Sequence, residues 1–397
     1  MRHGAVFALA VFAVTVVAQE DAFTAISQHI PSCALPCLAE TQLKSTCSPT
    51  DTGCACELVL ASPLMTGCMT SCTIGDAFRT MNGTATACNS PIRDNGGAVL
   101  YITTTVLCSI ALACILMRLL STPESQKSWI SVADDWYMMA NAILLIGVMT
   151  CTILVYHNNY GRDIWTLSKR QIRNILILLY NLEIYYTLIN MLTKLSILGF
   201  YLRFFPFTVF PRLRSAIYTT IAVTTASGIS FTMSMVFQCT PISFVWSMFD
   251  DPPPAGSCMN INLYAWTVAI FNIALDLWLL VLPMPELFKL SVPLGKKIVV
   301  CLMFAVGGFV TIISVPRIIS MASFKSTMNP TYELVPVSFW GHVEASVCVI
   351  LACIPRISIF FMRLYRMNSR HTMAENLSSN ASVDHRSSTI LVPIQSI

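Results

Sequence analysis

Seven apolar runs, each long enough to cross a bilayer, follow one another between residues 98 and 361 and leave only short polar connections. They lie near 98–120, 133–156, 175–204, 216–237, 263–287, 298–320 and 336–361, and a helix needs about 20 residues to span the hydrocarbon. In lipid every backbone N–H and C=O must find a partner inside the protein, which restricts spanning segments of this length to α-helices. Composition agrees: 55% of residues are hydrophobic and 11% charged, against about 25% charged in soluble domains. Membrane lipid is therefore the expected solvent. The net charge of +4 is small and no dense basic stretch with interleaved aromatics occurs, so nucleic acid is not an expected partner.

The chain opens with Arg2 and His3, an apolar run from Ala5 to Val17, and the small-residue pattern Val16-Val17-Ala18. That pattern predicts a cleaved signal peptide over 1–18, because the run is too short to span comfortably. Residues 19–95 are polar enough for an outer domain, 96–364 hold the seven spans, and the polar, Ser-rich 365–397 reads as a disordered tail. With the N-terminus outside, the inner segments carry eleven basic residues: Arg118, Lys127, Arg203, Arg212, Arg214, Lys289, Lys296, Lys297, Arg363, Arg366 and Arg370. The outer connections carry five: Arg162, Lys169, Arg170, Arg173 and Lys325. The excess predicts a plasma-membrane protein with an extracellular N-terminus and a cytoplasmic C-terminus.

Eight of the sixteen cysteines fall in the outer domain, as Cys33-x3-Cys37-x9-Cys47-x6-Cys54-x-Cys56-x11-Cys68-x3-Cys72-x15-Cys88. Such density behind a secretory signal reads as a disulfide framework. The scattered Cys108, Cys114, Cys151, Cys301, Cys348 and Cys353 read as packing residues. The spacing, with Pro31 before the first cysteine and Asp51 three before the fourth, resembles the CFEM domain of fungal cell-surface proteins at every cysteine. The resemblance implies the pairs Cys33–Cys72, Cys37–Cys68, Cys47–Cys54 and Cys56–Cys88. Helical-turn spacing within Cys33/Cys37 and Cys68/Cys72 would let two antiparallel helices be joined in that way. The resemblance also implies a role for Asp51 as an axial ligand to haem iron, since a hard carboxylate prefers ferric iron. The alternative is that Asp51 only caps a turn in Ser48-Pro49-Thr50-Asp51-Thr52-Gly53. Asn82-Gly83-Thr84 is a glycosylation sequon on the outer side. The sequons at Asn376 and Asn380 would face the cytoplasm.

The spanning region resembles the fungal rhodopsin-like seven-helix domain of CFEM-type, G-protein-coupled-receptor-like proteins. The residues that carry this are Asp134-Asp135-Trp136 in the second span and Lys194-Leu195-Ser196-Ile197-Leu198 with Tyr201-Leu202-Arg203 closing the third. Cys239-x-Pro241, Trp246 and Cys258 follow, then Asp276 with Pro283-x-Pro285, and Trp340 with Glu344. The fold expected is all-α: a small disulfide-rich helical CFEM domain followed by a seven-helix transmembrane bundle. The resemblance implies a surface receptor for an unidentified extracellular ligand, with a heterotrimeric G protein as possible inner partner. Helix 3 lacks the acidic-arginine-tyrosine triplet of animal receptors. Retinal is not expected, because a Schiff base needs a buried lysine and the seventh span has none.

Ionisable residues inside a membrane usually face a partner or a cavity. Glu183, Arg317 and Glu344 fall in the outer half, Asp276 near the middle, and Lys194, Asp134 and Asp135 near the inner face. The outer group is either a structural Arg317–Glu344 pair or the polar floor of an outward-facing pocket. The inner group predicts a lock in which Lys194 pairs with Asp134 or Asp135. Cys239 and Cys258 face the oxidising side, where a disulfide would pin the Pro252-Pro253-Pro254 loop over the bundle mouth.

Three readings of function differ in where they place the chemistry. A receptor uses the pocket, the inner loops and a tail with candidate phosphorylation sites at Ser378, Ser379, Ser382, Ser387, Ser388 and Thr389. A haem-acquisition protein uses Asp51, with the bundle as anchor. A transporter would favour broken helices or an internal repeat, and no repeat is visible. An enzyme is not expected: there is no nucleophile–base set, no H-E-x-x-H and no phosphate-binding glycine loop, and His29, His157 and His342 stand isolated.

Overall fold

The computed structural model describes residues 27–43, 47, 51–61, 72–90, 93–121, 129–205, 210–250, 252, 254–289, 308, 312–321, 329–358 and 360. The expected signal peptide, Cys68, Cys301, most of the sixth span, the tail and its sequons lie outside them.

The outer domain is built from three helices, α1 (Leu35–Leu43), α2 (Thr52–Ala61) and α3 (Ile74–Ala87). Its core is small: Cys37, Leu38, Ala55, Val59 and Ala77. A core of that size cannot hold a domain together alone, and disulfides supply the remainder. The bonds are Cys33–Cys72, Cys47–Cys54 and Cys56–Cys88; Cys37 is also disulfide-bonded. Cys72 sits in a bend ahead of α3 rather than on a helix, so the picture of two cross-linked antiparallel helices does not describe its end of the domain. Thr73 caps α3 by accepting from the Asp76 N–H at 3.2 Å, and Asp76 places its negative charge in the first turn.

Among the described residues five helices are long and apolar enough to cross a membrane: α4 (Gly97–Leu120), the stretch Ala133–His157 of α5 (Trp129–His157), the stretch Lys169–Arg203 of α6 (Lys169–Phe204), a stretch beginning with α8 (Ile261–Val281), and α10 (Pro330–Ser358). α7 (Pro211–Val236) is equally long but rich in Ser and Thr. Several of its hydroxyls bond back to carbonyls of the preceding turn, as Thr220 to Ala216 at 2.7 Å and Thr232 to Gly228 at 2.8 Å, which satisfies those without water; the Thr224 hydroxyl is buried without a partner among the described residues. A shorter apolar helix, α9 (Ile312–Met321), falls within the expected sixth span.

Local chemistry sets the helix ends. Ser168 and Gln171 form a capping box at the start of α6, so this helix begins before the expected 175 and takes in Lys169, Arg170 and Arg173. Pro211 and Pro330 occupy first-turn positions, where a missing N–H costs nothing. α8 ends ahead of Pro283, and Met284–Lys289 forms a separate short helix. Gly96 adopts a left-handed φ of 81° at the start of α4. At Gly97 a Cβ would lie 2.2 Å from the Tyr160 carbonyl oxygen; only glycine lets α4 approach that loop.

The main core joins α4, α5, α6 and α10 through Leu100, Met138, Leu145, Ile189 and Val349. Polar contacts at helical spacing run beside it, with Thr104 against His342 at 3.3 Å and Cys108 against Ser346 at 3.6 Å. Cys108, Cys151, Cys348 and Cys353 are buried free thiols, and Cys114 is half-buried. Outside the helices, β1 (Cys239–Thr240) and β2 (Ser257–Cys258) pair antiparallel, with Cys239 opposite Cys258 and disulfide-bonded to it. The all-α architecture holds apart from this two-residue ladder.

Candidate functional site

Near the helix ends remote from the disulfide-rich domain one carboxylate gathers three partners. Asp134 of α5 accepts from Arg118 of α4 at 2.5 Å, from Ser196 of α6 at 2.5 Å and from Arg356 of α10 at 3.1 Å. Arg118 also donates to Ser196 at 2.9 Å and to the Ala352 carbonyl at 2.7 Å. Arg356 reaches Asp135 at 2.5 Å. Four helices are thus tied at one level by groups that are almost wholly buried.

The expected Lys194 lock to Asp134 or Asp135 is therefore corrected. Lys194 pairs with Asp276 of α8 at 2.9 Å. The reason is rotational: at about 100° per residue, Lys194 points roughly 200° around α6 from Ser196, the residue that touches Asp134. One carboxylate oxygen of Asp276 is buried with no hydrogen-bond partner among the described residues.

In the outer half, Glu344 of α10 accepts from Arg317 of α9 at 3.1 Å, from the Tyr186 hydroxyl at 3.0 Å and from Ser314 at 3.0 Å. Arg317 also donates to the Tyr186 hydroxyl and lies 4.0 Å from its ring centroid. The Arg317 Nε is left buried without a hydrogen-bond partner among the described residues. Glu183, one turn earlier on α6, is different: it is within electrostatic reach of Arg317, Tyr160 and Tyr264 and makes no hydrogen bond or ion pair among the described residues. Glu183, Thr187, Asn190 and Lys194 follow a spacing of four, three and four residues, and so form one polar stripe along α6.

The outer domain is seated on the bundle. Arg93, in the segment joining them, grips Asp163 with Nη2 at 2.7 Å and Nε at 3.2 Å. Asn329, just before α10, donates to the same carboxylate at 2.7 Å and accepts from the Ile164 N–H at 2.9 Å. The guanidinium stacks over Tyr332 at 4.6 Å, and the Asp163 hydrogen bond raises the Arg93 pKa above its ordinary value. Beside this clamp Phe78 of α3 stacks on Phe249 at 5.6 Å and packs against Ile164, Ile172 and Leu176.

Asp51 caps α2: its carboxylate accepts from the Cys54 N–H at 3.0 Å. The side chain is exposed, and its second oxygen has no partner among the described residues. Asn82 is exposed on α3.

Residues 117–363 match the fungal rhodopsin domain. The chain belongs to the fungal rhodopsin domain family. Residues 26–89 match the CFEM domain. A SAT4 family membrane protein of Emericella nidulans is 27% identical over 46% of this chain and 45% of its own. Receptor GIN3 of Arthrobotrys oligospora is 26% identical over 56% and 53%, and the polyenoic acids biosynthesis gene cluster protein Ba17b of Metarhizium anisopliae is 30% identical over 41% and 46%. The chain spans about half the length of the curated relatives it matches. No solved structure matches it.

This fungal rhodopsin domain protein brings together residues that reading the sequence left apart. In the sequence Arg118 stands out only as a basic residue at the end of the first span. Arg356 lies inside the expected seventh span, where the rule that flagged Lys194 applies equally. For Arg93, Asp163 and Asn329 no comparable signal exists, because all three are ordinary polar residues of connecting segments.

Proposed function

We propose that this protein is a cell-surface receptor that senses an extracellular or surface cue through its CFEM domain and outer pocket, and relays it through the bundle to a heterotrimeric G protein. The observation that carries this reading is the clamp of Arg93, Asp163 and Asn329. It joins the outer domain to the start of α10, the helix that also holds Glu344 and Arg356. An anchor needs no such connection. The similarity to a protein named Receptor GIN3 supports the same reading. The ligand would meet Glu183, which makes no hydrogen bond or ion pair among the described residues.

The test is nucleotide exchange on fungal Gα subunits in membranes carrying the full chain, with and without extracellular extracts. Exchange should rise with the chain present and fall toward background in Phe78→Ala and Arg93→Ala. No difference between the full chain and empty membranes would end the reading.

Haem binding is a second reading, favoured by the free, exposed oxygen of Asp51 within a CFEM match. A carboxylate with one oxygen engaged in capping still has a donor to offer iron. Ferric haem added to the full chain should produce a Soret shift that Asp51→Ala abolishes. Identical spectra for the two proteins would remove Asp51 from any iron site.

A further inference from the structure

We propose that the cavity between α6, α8 and α10 binds a neutral, mainly apolar small molecule whose single hydroxyl donates to the free oxygen of Asp276. The cavity is open at its mouth, holds about 70 Å³ of interior space, and has walls that include Ile197, Phe200, Leu280 and Leu351 with Lys194 and Asp276. Apolar walls with a few convergent polar groups are the usual lining of small-molecule sites.

The chemistry of the walls selects the guest. Lys194 and Asp276 neutralise each other at 2.9 Å. An anion entering here would meet the carboxylate, and a cation the ammonium, in a setting too apolar to screen either. A neutral molecule avoids both. Asp276 leaves one oxygen buried and unpartnered among the described residues, and a buried acceptor of that kind is stabilised by any donor that reaches it. The alcohol of an amphiphile supplies one donor and an apolar body to fill the rest. Such a molecule reaches a membrane-embedded cavity from the lipid phase. Ala352 lines the same cavity and gives its carbonyl to Arg118 at 2.7 Å, so a guest would press on the turn that supports the inner network. Glu183, Arg317 and Glu344 do not line this cavity, and the proposal does not depend on G-protein coupling.

The experiment uses the full chain in lipid nanodiscs and two photoreactive probes: a long-chain primary alcohol with a diazirine in its chain, and its methyl ether. The alcohol should label peptides holding Leu280 or Leu351 roughly tenfold more than the ether, the ratio one charge-assisted hydrogen bond supplies. Asp276→Asn should abolish the preference, since its amide turns a donor toward the cavity. Leu351→Trp keeps the ion pair and fills the space, and should suppress labelling by both probes. Equal labelling of the unaltered protein by alcohol and ether would overturn the proposal, as expected if water satisfies Asp276. Labelling unchanged in Leu351→Trp would overturn it as well.

Discussion

Asp134 holds two arginines and a serine, so its loss is expected to be felt on several helices at once. Removing one partner of a buried ion pair typically costs about 3–5 kcal/mol, because the other charge stays buried without compensation. Asp134→Ala should therefore lower the thermal unfolding temperature of the detergent-solubilised protein well below that of Asp135→Ala, whose side chain is partly exposed. Equal effects of the two substitutions would show that Asp134 is not the hub. Arg93 belongs to a different regime. It is about half exposed, while Asp163 is buried and keeps the Asn329 amide as a partner when Arg93 is removed. Arg93→Ala should therefore lower the unfolding temperature less than Asp134→Ala does, while speeding proteolysis of the segment around it. The sign of its pH dependence follows from its raised pKa. A base held charged in the folded state adds stability below its unfolded pKa and loses it only as pH rises through the folded one. For an arginine that lies far above physiological pH, so mild alkalinity should not release the clamp through Arg93. A digestion pattern that changed between neutral and mildly alkaline buffer would point to another group.

Between elements, single covalent or steric features of the connections matter. The bond between Cys239 and Cys258 closes a loop with a sequence separation of 19 residues, for which chain entropy gives about 3 kcal/mol. The double variant Cys239→Ser, Cys258→Ser should unfold at lower temperature and expose 240–257 to protease, while leaving the inner network intact. Gly97→Ala should be more damaging than alanine in place of glycine normally is, because the added methyl meets the Tyr160 carbonyl; a thermal shift matching that of an exposed helical glycine would contradict the close approach. How much of this could be read from residues alone varies with the physics involved. Hydropathy located the helices, since lipid demands apolar runs of nearly fixed length. It misplaced the start of α6, because the capping box at Ser168 and Gln171 lies among charged residues that hydropathy scores as loop. A helix and its membrane-crossing portion are different objects. Ion-pair partners were less legible still. Whether Lys194 meets Asp134 or Asp276 depends on helix rotation and on which helices are neighbours, and neither is encoded in local sequence. The contact of Phe78 with Phe249 joins side chains far apart in the chain and leaves no periodic trace.

For the whole molecule, the outer domain and the bundle meet through an aromatic cluster and a charged clamp, and two polar layers cross the bundle at different depths. α6 passes through all of these levels. Phe78 of the outer domain packs on the cluster that holds Ile172 and Leu176 of its first turns, Lys194 and Ser196 lie toward its far end, and it has 36 residues. At about 1.5 Å per residue such a helix is roughly 54 Å long, well beyond the hydrocarbon thickness of about 30 Å. A continuous helix of this length works as a lever with its pivot in the membrane core. A tilt of about 5° imposed on its outer arm would carry the opposite tip by roughly 2 Å, on the scale of the helix shifts by which packed interfaces switch. Displacement at the end beside the disulfide-rich domain would then be delivered to Ser196 and its partners without any chain of intermediate contacts.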